Sequence, residues 1–308
     1  MDSTANHASM RSRLRRTFQS ALPLPHGTES HLAGALRDTL QHPGSMVRAE
    51  LAYRVGCSFS MSEERAENLA IAIEYFHTAS LLFDDLPSMD DASLRRGMPC
   101  AHQIHGEGAA ILAALALINR AYSLVWKAVA GLPPEVQASA LCYLERHLGI
   151  AGLLNGQSQD LHYSRLAHPQ REPQSIAMGK TVSLIRLALV MPAIVAQARR
   201  EEINLLERLA VLWGLSYQTL DDLKDVLYTE QGHGKTTARD AYLDRPNIAL
   251  TMGIPESFDR IERLMNLASR TMTRLARRRG PLAFLREVRV QFNKEITALS
   301  EASLTRAS

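Results

Sequence analysis

Apolar residues recur every three or four positions through most of the chain, in AENLAIAIEYFHTASLLF, AAILAALALINRAYSLVWKAV, TVSLIRLALVMPAIVAQA and INLLERLAVLWGLSYQTL. That spacing lines one face of an α-helix, and the alternation that marks a half-buried strand is hard to find. Pro, Gly and Asn fall between the runs, in LPLPHGTES, HPGS, GLPPE, AHPQREPQS, EQGHGK and LDRPN, where interhelical loops need them. None of these breaks is long enough to be a clear domain linker, and several helices are apolar over much of their circumference. The pattern predicts an all-α protein: a single large helical bundle with a buried central helix, residues 1–308 forming one domain and residues 1–25 a flexible N-terminal segment.

Composition narrows the function more than the fold. A chain of 308 residues, 46% hydrophobic, can bury a large core, and a formal net charge of +3 gives little support to nucleic-acid binding through a broad basic face. The basic clusters MRSRLRR and RLARRRG read as solvated helix faces or frayed termini. Cys57, Cys100 and Cys142 are far apart and form no CxxC pair, which points away from zinc and disulfides and towards a reducing cytoplasm. The N-terminus has no apolar stretch before a cleavage-like site, and GAAILAALALI is too short to span a bilayer, so no membrane insertion is expected.

Two acidic clusters stand against this background. LLFDDLPSMDDASLRRG holds Asp84, Asp85, Asp90 and Asp91 directly behind an apolar helical run. On an unbroken helix Asp84 and Asp90 would lie about 120° off a common face, but Pro87 interrupts the ladder and can re-aim the second pair. Aspartates this close repel unless cations sit among them. Hard oxygen ligands of this kind suit Mg²⁺, especially where a phosphate completes the coordination.

The second cluster, YQTLDDLKD, sets Asp221 and Asp225 on one helical face, with Asp222 beside them, in the middle of another apolar run. Carboxylates in such a place need partners. Cations appear where a polyphosphate would need them: Arg95 and Arg96 after the first cluster, Lys180 and Thr181 in GKT, and Lys235 in GHGKTT. GKT lacks the upstream glycine and the preceding strand of a nucleotide-binding P-loop. Together these residues describe a pocket for diphosphates held by Mg²⁺ on one side and by Arg and Lys on the other.

DDLPSMDDASLRRG, GQSQDL, GKT and YQTLDDLKD, in this order, resemble the motifs of the trans-isoprenyl diphosphate synthases, or polyprenyl synthetases, in their short-chain geranylgeranyl and farnesyl branch. The likeness runs from about Pro43 to about Asn247. It implies the all-α isoprenoid synthase type I fold with a central cavity, a homodimer, and chain elongation that joins an allylic diphosphate to isopentenyl diphosphate. Carried over, it makes Asp84, Asp85, Asp90, Asp221, Asp222 and Asp225 the Mg²⁺ ligands, directly or through water. It sets Arg95, Lys180, Thr181, Gln218 and Lys235 on the allylic diphosphate, and Arg48, His77 and Arg96 on the isopentenyl side. Small residues one turn before the first motif, Ala79 and Ser80, would leave the product tunnel open to a C20 chain.

This sequence departs from the pattern in three places. Ser45, in PGSMVRA, stands where a GGKxxRP segment would have its isopentenyl-binding lysine. Leu115 replaces an acidic residue in the helix after the first motif, and AYLDRPNIAL lacks a second lysine after Lys235 and Asp240. The isopentenyl half therefore looks depleted. Two alternatives stay open: a terpene-synthase-like or irregular-coupling enzyme that ionises an allylic diphosphate without normal elongation, and a non-catalytic partner of a true synthase.

Overall fold

The computed structural model describes residues 3–166, 173–227 and 245–307, and the chain divides into two compact units, residues 1–137 and 138–308. Among the described residues the only strands are the two-residue pieces β1 (Leu94–Arg95) and β2 (Met98–Pro99), so the all-α expectation holds.

In the first unit, α1 (Ser3–Ser20), α2 (Ser30–Gln41) and α3 (Val47–Ser58) precede the long α4 (Glu63–Asp84). α4 starts where Ser62 accepts from the Arg65 amide (3.4 Å), with Glu63 and Glu64 facing the positive end of the helix dipole. It is buried almost all round, by Leu69, Ala70, Ile71, Ala72, Ile73 and Tyr75, as a central helix must be. α3 packs along it, and so does α6 (Glu107–Val129), which follows the short α5 (Ala101–His105). The buried face of α6 is rich in alanine (Ala109, Ala110, Ala113, Ala114, Ala121), and small side chains let helix axes approach closely.

Two sequence expectations change here. Residues 1–25 include a helix, α1, whose Leu14 and Phe18 are fully buried; the Phe18 ring meets Tyr75 edge-on at 4.9 Å, and the Tyr75 hydroxyl donates to the Phe18 carbonyl at 2.6 Å. The apolar pair one helical turn apart, which the basic residues around it obscure, anchors the segment. The run GAAILAALALI is the N-terminal half of the 23-residue α6, so it is longer than expected; α6 and the stretch Pro173–Val195 are long and apolar enough to cross a bilayer, a test that core helices pass as well, and most of the second stretch is buried.

α7 (Pro134–Leu148) leads into the second unit, which continues with α8 (Leu153–Leu161), α9 (Pro173–Ala177), a π-helical turn (Met178–Val182), α10 (Ser183–Leu189) and α11 (Met191–Val195). The 28-residue α12 (Arg200–Leu227) is its spine. Beyond it lie α13 (Ile248–Met252), α14 (Ile254–Arg278) and α15 (Leu285–Ala307). α14 packs along α12 with a seam of Ile261, Met265, Ala268, Met272 and Leu275, spaced four and three residues apart. The π turn packs against α12 too, with Ala177, Val182 and Leu215 at the centre of the contact.

Candidate functional site

α4 stops at Asp84 because Pro87 has no N–H to give to the ladder. The chain then doubles back. The Asp90 amide donates to the Asp84 carbonyl (2.9 Å), the Asp91 amide to that of Leu86 (2.9 Å), and the Ala92 amide to that of Asp85 (3.2 Å). Asp84 and Asp90 are thereby brought side by side, both half-buried.

Asp85 has a different environment. It is 4% exposed, and Arg95 Nε donates to both its oxygens, at 2.9 and 3.3 Å, with a further bond from the terminal guanidinium nitrogen. Burial works against the Arg95 cation, but the hydrogen bonds and charge of Asp85 outweigh it and raise the guanidinium pKa.

RRG forms a hairpin. Leu94 pairs with Pro99 and Arg95 with Met98, and Arg96 and Gly97 turn with φ of 57° and 77°, the positive pair that suits a two-residue turn. The two arginines therefore diverge. Arg96 donates to the His42 carbonyl at 3.0 Å and lies against Gly44, where φ is +72° and any Cβ would collide with the guanidinium. The positive φ is what calls for glycine, because the guanidinium is the far end of a flexible side chain and can shift.

Arg48, in the first turn of α3, lies 3.1 Å from His77 Nε2, so the structure joins these two predicted residues; the Arg48 Nε is buried with no hydrogen-bond partner among the described residues. Glu74, one turn before His77, was not picked out by the sequence. It is 2% exposed and accepts from the Ala49 amide at 3.0 Å; burial raises its pKa, against the opposing pull of Arg48 and Arg96. Its signal was an acid inside the apolar run AIAIEYF. The MRSRLRR cluster is not frayed. Arg15 donates to the Gly44 carbonyl at 2.9 Å, and Arg11 donates to the Ser45 carbonyl at 3.4 Å while pairing with Glu50 at 3.1 Å.

Of the remaining predicted positions in this unit, Ala79 is fully buried in α4, and the Ser80 hydroxyl donates to the His77 carbonyl at 2.8 Å. Leu115 is 49% exposed on α6.

In the second unit, GKT lies in the π turn. Gly179 and Gly156 of α8 meet backbone to backbone: a Cβ on Gly156 would stand 2.5 Å from the Lys180 nitrogen and 2.7 Å from the Gly179 carbonyl carbon. That contact brings Lys180 Nζ to Asp160 Oδ2 at 2.8 Å, and Arg245 donates to the Asp160 carbonyl at 3.1 Å. Asp160, the acid of GQSQDL, is thus the residue that holds Lys180. Arg245 belongs to the segment where the second lysine is missing.

A chain of hydrogen bonds then crosses to α12. The Thr181 hydroxyl donates to Gln218 Oε1, and Gln218 Nε2 donates to Asp222 Oδ1 at 2.7 Å. Asp222 is 2% exposed; its Oδ2 caps α13 by accepting from the Ile248 amide at 2.7 Å, and its carbonyl accepts from Asn247 at 3.2 Å. Asp221 and Asp225, half-buried, share a face one turn apart; burial works against the Lys224 cation, but its 2.7 Å pair with Glu295, helped by the Asp221 charge, raises its pKa. Lys235 and Asp240 lie outside the described residues.

No three His, Cys, Asp or Glu side chains among the described residues are gathered tightly enough to hold a metal by themselves. That suits Mg²⁺, which is commonly held by one or two carboxylates plus waters and substrate phosphates. Asp84 with Asp90, and Asp221 with Asp225, are the pairs that could serve in that way.

The chain is thus all-α, with an aspartate-rich cluster and neighbouring cations in each unit. A polyprenyl synthetase family profile matches residues 29–277, and the chain belongs to that family. It is 36% identical over 234 residues to the geranylgeranyl diphosphate synthase of Pantoea ananas, covering 72% of this chain and 75% of that one. It is 35% identical over 235 residues to the chloroplastic geranylgeranyl pyrophosphate synthase 3 of Arabidopsis thaliana, covering 75% and 65%. A Capsicum annuum relative of the same kind is matched over 61% of its length, so the chain spans less than two thirds of these plant proteins. Among solved structures, an FPP/GFPP synthase from Zymomonas mobilis superposes with a TM-score of 0.78 at 25% identity, over 94% of this chain and 99% of that one. A geranyltransferase from Helicobacter pylori, complexed with magnesium and isoprenyl diphosphate, superposes with 0.80 at 23%, over 98% and 97%, which shows the shared fold.

Proposed function

We propose that this chain is a Mg²⁺-dependent short-chain prenyltransferase that joins an allylic diphosphate to isopentenyl diphosphate, with a C20 product. One observation carries the reading. In each acidic motif one aspartate is locked into the protein, Asp85 by Arg95 and Asp222 by Gln218 and the Ile248 amide, while a half-buried pair is presented beside it. The locked residue fixes the presenting pair.

Asp84, Asp90, Asp221 and Asp225 would hold Mg²⁺, which when bound neutralises a departing diphosphate. Lys180 and Thr181, placed by the Gly156–Gly179 contact, would bind and orient the allylic diphosphate, and Arg48, Arg96 and His77 the isopentenyl one. Loss of diphosphate leaves an allylic cation that the isopentenyl alkene attacks, and the released diphosphate takes the proton, so charge and atoms balance. The buried Ala79 and the small Ser80 support the C20 length. We also propose a homodimer, supported by an exposed apolar stripe on α6, and a cytoplasmic location, supported by Cys57, Cys100 and Cys142, which form no disulfide among the described residues.

The test is incubation of purified protein with Mg²⁺, farnesyl diphosphate and labelled isopentenyl diphosphate, with product identification. A C20 diphosphate is expected, EDTA should abolish it, and Asp84→Ala or Asp221→Ala should lower kcat by about 10²–10³, the scale of a deleted key electrostatic group. Undiminished turnover in EDTA overturns the reading. Alcohols or cyclic hydrocarbons from the allylic substrate alone would favour the terpene-synthase-like alternative, whose support is Ser45.

A further inference from the structure

The loop from His42 to Met46, just before α3, gathers more guanidinium groups than carboxylates. Arg96 holds the His42 carbonyl and covers Gly44; Arg15 holds the Gly44 carbonyl at 2.9 Å; Arg11 reaches the Ser45 carbonyl; Arg48 follows in the first turn of α3. Three acids oppose them, and the charge of one, Asp85, is already taken up by Arg95. Glu50 is shared by Arg11 at 3.1 Å and Arg54 at 3.3 Å, and Glu74 is buried beneath Arg48.

Arg15 is exposed, and no carboxylate among the described residues lies within ion-pair distance of it. A backbone carbonyl takes one of the five N–H groups of a guanidinium, so Arg15 can present others to an anion. Arg96 is exposed too; burial of part of it and the charges of Arg95 and Arg48 lower its pKa, against the pull of Glu74 and Asp85. Cations crowded without matching counter-charges repel one another, and an anion that binds among them removes that repulsion. A diphosphate matches the guanidinium fork in charge and in geometry.

We propose that Arg15 of the N-terminal helix supplies the cation of the isopentenyl diphosphate half-site that Ser45 cannot. The inference rests on the assignment of Arg48, Arg96 and His77 to that substrate. It makes α1 part of the binding site, held in register by the buried Leu14 and Phe18 on either side of Arg15. The depletion expected from the sequence is then a relocation of charge from the loop to a neighbouring helix.

Steady-state kinetics on the full chain and on Arg15→Ala, Ser45→Lys and the double variant test this. Arg15→Ala is expected to raise KM for isopentenyl diphosphate about ten- to a hundredfold, the range for one charge-assisted contact, while kcat and the allylic KM stay near their starting values. Ser45→Lys should restore most of that loss in the double variant and change little alone. A residue that merely ties down the loop would not be rescued by a lysine elsewhere. An unchanged isopentenyl KM in Arg15→Ala, or an unrescued rise shared by both substrates, overturns the proposal. Should the unaltered protein fail to condense the substrates, the parent reading fails instead. Calorimetric binding of inorganic pyrophosphate without Mg²⁺ then decides: affinity lost in Arg15→Ala and regained in the double variant supports Arg15, and equal affinity in all four overturns it.

Discussion

A carboxyl group that is 2% exposed inside a helix of alanines and isoleucines must be compensated locally, and Glu74 has the Ala49 amide and the nearby charges of Arg48 and Arg96. They do not fully offset burial, so its pKa stays above the ordinary 4.5. Between those two values the folded chain binds the proton that the unfolded chain has released, so this group's contribution to stability is complete below pH 4.5 and is lost as pH rises through the folded pKa. Glu74→Gln keeps the acceptor and removes the charge. Its melting temperature should exceed that of the unaltered protein at pH 8, with the advantage vanishing near pH 4; a lower melting temperature at pH 8 would show that the ionised form is a net stabiliser. Residue types were legible in the sequence here, and residue roles were not. Asp84 and Asp85, or Asp221 and Asp222, are identical neighbours in the chain, yet successive helical side chains point about 100° apart. One of each pair is half-buried, and the other, buried, reaches Arg95 or α13.

At the scale of elements, the long helices were legible: burying one face imposes a period, which α6 and α12 show, and α4, buried almost all round, stands out as a long apolar run. The segments between them were less so, because their form is set by partners distant in sequence. The doubling back after Pro87, the hairpin at Arg96 and Gly97, and the docking of α1 by Phe18 on Tyr75 belong to this group. The π turn that carries Lys180 is another. It holds one residue more per turn than an α-helix, and what accommodates it is the glycine contact with α8. Gly156→Ala should force α8 and the turn apart, costing about 1–3 kcal/mol of stability, typical of an overpacked contact. The same change should raise KM for the allylic diphosphate through Lys180 and leave the isopentenyl KM unaltered. Equal effects on both substrates would show that the contact supports the fold without positioning Lys180.

At the scale of the whole molecule, α6 presents Ile111, Leu112, Leu115, Tyr122 and Trp126 to solvent, each between 36% and 59% exposed, along one face. A contiguous apolar stripe of this kind marks an interaction surface, and Leu115 extends it at the position where an acid was expected. The 34.1 kDa chain should sediment as a dimer, and Trp126→Glu as a monomer, since a charge in a desolvated interface is strongly disfavoured. A monomeric unaltered protein would remove the case for a second copy on this stripe. The opposite face of α6 is the alanine-rich one that packs along α4, the helix that ends at Asp84. A docked copy would thus stand about one helix diameter, roughly 10 Å, from the helix that carries the first acidic motif. A thin, closely packed spacer with few voids transmits small tilts instead of absorbing them. In a protein that pairs through this stripe, turnover per molecule would depend on how crowded it is with its own kind, and dilution would act as an inhibitor that occupies no substrate site.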